Sequence, residues 1–262
     1  MKLTTWNMNW LTTRLPGDHE VPADIPFRSE QDYERLKSYA RRLDSDIIAV
    51  EEIESDVALR KIFDPQYYDF ILSKAPIVQR VGLVIRHSLN ATINPEITAL
   101  NVEPPGARHA IRSGLDVTLH GQTQDLRLLV VHLKAGCWAR PLSDSKHSCP
   151  MLVQQLAIME NWILDREDEG VPYALLGDFN RRFTLKDPAF LTLREDAPLT
   201  LVTAGLASPC QGGSRFIDHI ILGGAARHWL IPNSLRVMTY RFDRDTAMLS
   251  DHCPVSVTLD LP

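Results

Sequence analysis

Apolar runs that stop abruptly at polar clusters recur along the whole chain. Leu3-Thr4-Thr5-Trp6 reads as a short strand running into Asn7, and Ile47-Ile48-Ala49-Val50 as a buried strand ending at Glu51-Glu52. Residues 126–132 end on His132, and Ala174-Leu175-Leu176 runs into Gly177-Asp178-Phe179-Asn180. Ser250-Asp251-His252-Cys253-Pro254 precedes the apolar run from Val255. Further strands are predicted at 70–72, 82–86, 111–120, 173–176, 216–222, 235–240 and 255–259. Helical spacing appears in Tyr33, Leu36, Ala40 and Leu43, where Ser29 and Asp32 form a capping-box-like start. A short helix is predicted around 57–63. A second long helix begins at Pro150, with Cys149 or Ser148 before it, because proline suits the first helical position. Its apolar stripe is Leu152, Leu156, Met159 and Ile163. A loop rich in Pro and Gly spans 12–27.

Strand–helix–strand comes first, then hairpin-like strands, then helix and strands again. Two packed sheets with helices on their outer faces bury all of these runs, a four-layer α/β sandwich of mixed sheets. No linker, repeat or sharp change of composition divides residues 1–262, so one domain is expected. A carboxylate where a buried strand ends is costly unless it is paired, hydrogen-bonded or metal-bound. The polar ends would gather at one end of the sandwich.

Composition narrows this picture little. The 262 residues are 44% apolar and 23% charged, ordinary for a soluble globular protein. No apolar run approaches the roughly 18–20 residues that span a bilayer. The formal charge of −5 gives no global attraction to nucleic acid, though a local basic rim or a bound cation can reverse the sign at a site. Asn7 lies too near Met1 for a secretory signal to fit between them. The chain is therefore expected in the cytoplasm if complete, and in the periplasm or outside the cell if a leader has been removed. Cys137 and Cys149 flank a polar, proline-containing loop that a disulfide would staple, and their state stays open. Cys253 beside a strand reads as a small buried apolar group. No C-x-x-C spacing supports a zinc site.

The chemistry follows from the clustered residue types. Glu52 and Asp251 offer carboxylate oxygens and Asn7 an amide oxygen, the hard donors that Mg²⁺ or Mn²⁺ prefers. Asp178 and Asn180, two apart, face one side if extended. There a carboxylate can orient and deprotonate a water while the amide holds an oxygen of a phosphate. Asp218 beside His252 would fix the imidazole tautomer and stabilise the imidazolium. His132 is a second imidazole at a strand end, whereas His109, His120, His147 and His219 lack such context and read as surface or structural. Arg112 can reach a phosphate bidentately. Lys134, two beyond His132, and Arg181-Arg182, directly after Asn180, form a basic rim. Trp10 and Trp138 on flanking loops read as covering or packing residues, with stacking on a base or contact with a lipid as the alternatives.

Taken in order, Thr5-Trp6-Asn7-Met8-Asn9-Trp10, Val50-Glu51-Glu52, His132-Leu133-Lys134, Gly177-Asp178-Phe179-Asn180, Ile217-Asp218-His219-Ile220 and Ser250-Asp251-His252-Cys253-Pro254 resemble the endonuclease/exonuclease/phosphatase superfamily. The likeness runs from residue 5 to 259. It implies a DNase I-like fold and a phosphoric ester hydrolase with a divalent metal, Mg²⁺ or alternatively Mn²⁺. It further implies Asp178, Asn180, His132, His252 and Asp218 as catalytic, Asn7, Glu52 and Asp251 as metal ligands, and Arg112, Lys134 and Arg181 as substrate contacts. The best-fitting reading is a monomeric DNase I-like endonuclease, with DNA ahead of RNA. The alternatives are a phosphomonoesterase or lipid- or inositol-directed phosphodiesterase of the same superfamily, and a binding module on a dead catalytic fold. The segment from Cys137 to Cys149 is a candidate lid or recognition loop.

Overall fold

The computed structural model describes residues 1–18, 20–25, 27–103, 111–146, 148–241 and 249–262. The expected His109 and His147 surface positions lie outside them. In chain order the first half contains β1 (Lys2–Leu11), α1 (Glu30–Leu43), β2 (Ile47–Ile53), α2 (Asp56–Arg60), β3 (Tyr68–Leu72), β4 (Arg80–Arg86), β5 (Asn90–Ile93), β6 (Leu115–His120) and β7 (Leu126–His132). The second half contains α3 (Cys149–Glu169), β8 (Tyr173–Asp178), α4 (Pro188–Leu193), β9 (Thr200–Leu201), β10 (Asp218–Gly223), β11 (Arg236–Val237) and β12 (Val255–Thr258). They form two six-stranded mixed sheets, ordered β11-β12-β1-β2-β4-β3 and β5-β6-β7-β8-β10-β9.

Strict alternation of side chains divides the apolar residues into three layers. Leu3, Ile47, Ala49, Leu83, Leu128, Val130, Ala174, Leu176, Ile220 and Leu222 meet between the sheets. Their odd or even neighbours turn outward: Trp6, Ile48 and Val50 pack against Tyr33, Leu36 and Leu43 of α1. Leu129, Val131 and Leu175 pack against Leu152, Leu156, Met159 and Ile163 of α3. The result is helix, sheet, sheet, helix, as the apolar pattern required. Each such aliphatic side chain, fully buried, stabilises the fold by roughly 1.5–3 kcal/mol.

α1 starts where predicted, with the Ser29 hydroxyl accepting from Asp32 N and the Asp32 carboxylate accepting from Ser29 N. It stops at Asp44, whose φ of 45° leaves the right-handed helix. α3 carries Pro150 in its first turn and ends on Gly170 in the left-handed region.

Several boundaries differ from expectation. The strand predicted at 3–6 continues to Leu11, and the helix predicted over 57–63 is only Asp56–Arg60. The run 111–120 is a strand from Leu115, with Gly114 making an isolated bridge to Ile97. Residues 235–240 contribute only Arg236–Val237. β5, β9 and α4 were not anticipated. Cys137 and Cys149 are disulfide-bonded. The reading of Cys253 as a lone apolar group is corrected: it is bonded to Cys210, 43 residues away, a pairing that no local spacing announces.

Candidate active site

The polar cluster is the continuation of the layer between the sheets. On β1, Leu3 is followed on the same face by Thr5 and Asn7; on β2, Ile47 and Ala49 by Glu51; on β7, Leu128 and Val130 by His132. Ala174 and Leu176 lead to Asp178 on β8, and Ile220 and Leu222 share their face with Asp218 on β10. His132, Asp178 and Asp218 stand side by side across three adjacent strands, His132 and Asp218 each in register with Asp178. The core therefore changes from aliphatic to ionisable within one strand step.

Local backbone distortions bring in the rest. Glu52 would point outward by alternation, but its φ of 63° and the register shift before Ile53 redirect it to the cluster. Asn9 and Trp10 also have positive φ, within the shift between Asn7 and Leu11. Their turned backbone places Asn9 N 2.9 Å from Asn7 Oδ1 and Trp10 N 3.1 Å from Glu52 Oε2. Gly177 has φ 144°, and a Cβ there would stand 1.9 Å from the Val131 carbonyl oxygen, so only glycine permits the β7–β8 pairing beside Asp178. Asn180, at φ 50°, accepts that region more readily than most residues, and its N–H donates to Asp178 Oδ1 at 2.8 Å.

Asn7 Nδ2 donates to Glu52 Oε1 and to Asp178 Oδ2, each at 3.1 Å. His132 Nε2 lies 3.7 Å from both Glu52 Oε1 and Asp178 Oδ2. His252 Nε2 approaches Asp178 Oδ2 at 3.9 Å, while its Nδ1 holds both Asp218 oxygens, at 2.8 and 3.0 Å. Because the Asp218 carboxylate only accepts, Nδ1 carries the proton. Burial opposes the His252 cation, yet the Asp218 charge and hydrogen bond outweigh it and raise its pKa well above the ordinary value. His132 is driven well below the ordinary value by burial, then by Arg112 and His252, so it is the neutral imidazole of the pair. Burial pushes Asp178 up to about 7, with the Asp218 charge acting the same way against His252.

Arg112 also faces this cluster: its guanidinium feels the charges of Glu52 and Asp178 and donates to Gln79 Oε1 at 2.6 Å. Lys134 sits at the edge, paired with Glu103 at 3.2 Å. Asp251 lies at the solvent edge of the cluster, its side chain 67% exposed and 3.9 Å from His252 Nε2.

The rim assigned to Arg181 is corrected. Arg181 is only 3% exposed and pairs with Asp187 at 2.9 Å. Its Nη1 donates to the carbonyls of Cys137 and Arg140 at 2.7 and 2.6 Å. It is a loop anchor inside the protein. His219, read as surface or structural, is fully buried and bonded to Thr203 and to the Arg181 carbonyl.

Three further residues shape the site without having been singled out. Glu51 is fully buried; Thr5 Oγ1 donates to one oxygen at 3.0 Å, and the other has no partner among the described residues. Burial, then the Asp218 and Asp178 charges, raises its pKa well above the usual range, so the fold favours its protonated form. Its place after Ile47 and Ala49 in the alternation was the available signal. Buried Arg28 donates to the carbonyls of Trp10, Met8 and Leu249, at 2.8, 2.9 and 2.7 Å. It ties the distorted end of β1 to the loop that carries His252. Tyr240 accepts from Trp6 Nε1 and donates to the His252 carbonyl. No sequence pattern marked either.

The donor set suits a hard divalent cation. Glu51, Glu52, Asp178 and Asp218 crowd one end of the sandwich, and one ligand atom each from Asp178, Asp218 and His252 lie within 4.8 Å of one another. A cation would relieve this crowding of like charge. Glu52 presents oxygens to the cluster. Asn7 presents Nδ2, so service as an oxygen ligand requires its amide to turn over and release Asn9 N.

The profile described as Endonuclease/Exonuclease/phosphatase family matches residues 4–252. No curated protein matches the chain in sequence. Solved structures are similar in fold. TDP2 of D. rerio complexed with single strand DNA product superposes with a TM-score of 0.67 at 17% identity, covering 100% of this chain and 99% of that one. The catalytic domain of human nocturnin with bound sulfate gives 0.64 at 14%, covering 100% and 94%. The 3′ phosphatase NExo from Neisseria bound to product DNA hairpin gives 0.63 at 18%, covering all of both chains.

Proposed function

We propose that this chain, which belongs to the endonuclease/exonuclease/phosphatase family, is a divalent-cation-dependent phosphodiesterase acting on nucleic acid, DNA ahead of RNA. The observation that carries the reading is the row His132, Asp178, Asp218 at one end of the inter-sheet core, with His252 locked on Asp218 and Asn7 bridging to Asp178 from the facing sheet.

In this reading Asp178 orients the attacking water and takes its proton. A carboxylate titrating at about 7 is a far better base near neutrality than an ordinary one. His252, charged and with Nδ1 committed to Asp218, has Nε2–H free to donate to a non-bridging phosphate oxygen. His132 contributes a neutral N–H to the same group, and Asn180 an amide N–H. Each preorganised donor of this kind is worth roughly 10²–10³ in rate. Arg112 adds positive charge beside the phosphate. Glu52 and Asp251, joined by the Asn7 oxygen once its amide has turned over, would hold Mg²⁺ or Mn²⁺, which would supply polarisation of the phosphoryl oxygen and stabilisation of the leaving oxygen.

Nucleic acid is favoured by Arg112 beside the cluster and by the 45% exposed Trp138 next to it, since a base can stack on an indole. The DNA products held by the TDP2 and NExo structures agree with this reading. All four cysteines are disulfide-bonded, which points to an oxidising compartment; two free-thiol equivalents or more in protein isolated without reductant would contradict it. No helix among the described residues is long and apolar enough to cross a membrane.

Supercoiled plasmid, an inositol phosphate and sphingomyelin, each incubated with protein and Mg²⁺ and with or without EDTA, test the substrate class. Loss of supercoiled plasmid that EDTA abolishes is expected. Turnover of either of the other two alone would move the activity to the lipid or phosphomonoester branch.

A further inference from the structure

The segment between β7 and α3 makes a side-chain contact with the Asn180 amide, proposed above to donate to phosphate. Trp138 Nε1 donates to Asn180 Oδ1 at 3.1 Å, and Asn180 Nδ2 donates to the Leu133 carbonyl at 3.1 Å. An indole N–H only donates and a carbonyl only accepts. Between them the Asn180 amide has one allowed orientation, since the flipped amide would set N–H against N–H and oxygen against oxygen. Nδ2 keeps one hydrogen that neither partner uses.

The loop is built to hold the indole there. Cys137, next to Trp138, is buried and disulfide-bonded to Cys149 at the start of α3. The Trp138 carbonyl accepts from Arg182 N at 2.7 Å. Arg181, held by Asp187, takes the carbonyls of Cys137 and Arg140 on either side. Trp138 itself is 45% exposed, so core packing does not account for its position. The anchored loop and the hydrogen bond to Asn180 do.

We propose that Trp138 is a positioning residue for phosphodiester hydrolysis: its indole N–H, carried on the disulfide-stapled and Arg181-anchored loop, fixes the Asn180 amide so that the remaining Nδ2 hydrogen faces a non-bridging oxygen of the scissile phosphate. This rests on the hydrolase reading above for the identity of the ligand, and on the contacts alone for the orientation of the amide.

Trp138→Phe keeps an aromatic ring and removes the N–H. On an oligonucleotide substrate with Mg²⁺, kcat should fall about tenfold, the equivalent of one hydrogen bond, with KM within twofold. In an Asn180→Ala background the same change should cost nothing further, because coupled residues are not additive. Independently of activity, protein labelled with ¹⁵N-asparagine should show the Asn180 side-chain amide as a dispersed, slowly exchanging pair that moves toward free-amide positions in Trp138→Phe. An unmoved amide pair would overturn the proposal, as would an unchanged kcat or an equal loss in both backgrounds. A wild-type protein inactive on every phosphoester would sink the hydrolase reading, while the amide resonances would still decide the positioning.

Discussion

Asn7 and Asp178 are 171 residues apart and on different sheets, yet Asn7 Nδ2 lies 3.1 Å from Asp178 Oδ2 in a buried hydrogen bond. The same nitrogen also serves Glu52. One amide thus joins the proposed water-activating carboxylate to the proposed cation-binding one. Asn7→Ala is expected to lower kcat roughly 100-fold, the cost of a small misplacement at a reacting centre, and to weaken Mg²⁺ binding in calorimetry. Wild-type turnover and an unchanged isotherm would remove Asn7 from the site.

Burial of Asp178 predicts a stability effect of definite sign. Its carboxyl ionises at about 3.8 when unperturbed and about 7 in the fold. The folded chain therefore binds a proton that the unfolded chain has lost. The stabilisation is complete below pH 4 and disappears as pH rises through 7. Asp178→Asn is neutral throughout, so without metal it should melt several degrees above wild type at pH 8 and with no advantage at pH 4. Equal melting temperatures at pH 8 would mean that Asp178 is ordinarily ionised in the fold.

His252 owes its raised pKa to Asp218, against burial. Replacing Asp218 by Asn leaves burial unopposed by that carboxylate, so the imidazolium should be lost at lower pH. Turnover of the variant relative to wild type should then decline as pH rises from 6 to 8. NMR titration of the His252 ring reads the change directly, and an unshifted midpoint would contradict the role given to Asp218.

Much of this architecture was legible because the strands obey simple alternation. β7 and the inner faces of β1, β2 and β8 could be read from Leu3, Ile47, Leu128 and Leu176, and the polar residues at their ends marked the site. What escaped reading depends on departures from alternation or on distant partners. Asn7 and Asn9 hid the continuation of β1 because polar residues and two left-handed backbone positions occupy its end. Glu52 reaches the cluster through a positive φ that no propensity announces, whereas Glu51, which follows the alternation, went unnoticed. β5 is a short, mostly exposed strand at a sheet edge, with little burial to leave an apolar signature. Cys210 and Cys253, or Arg28 and Leu249, meet only once the chain has folded.

Arg181 and Arg112 separate a structural cation from a functional one. Arg181→Ala leaves the Asp187 carboxylate without its partner in a largely buried place, and should cost roughly 3–5 kcal/mol of stability. The salt dependence of DNA binding should stay as in wild type. Arg112→Ala should instead weaken binding and reduce the slope of log K against log salt by about 1. A reduced slope for Arg181→Ala would restore the basic rim that the structure withdraws.

The central claim is that Asp178 activates water for attack on a phosphodiester. It is tested most directly by cleaving plasmid DNA in ¹⁸O-labelled water with Mg²⁺, using wild type and Asp178→Ala at equal concentration. Wild type should place one ¹⁸O on the terminal phosphate of its product, and Asp178→Ala, with its fold verified by circular dichroism, should cleave at least roughly 100-fold more slowly. Cleavage by Asp178→Ala at the wild-type rate, or product phosphate without the label, would contradict the account.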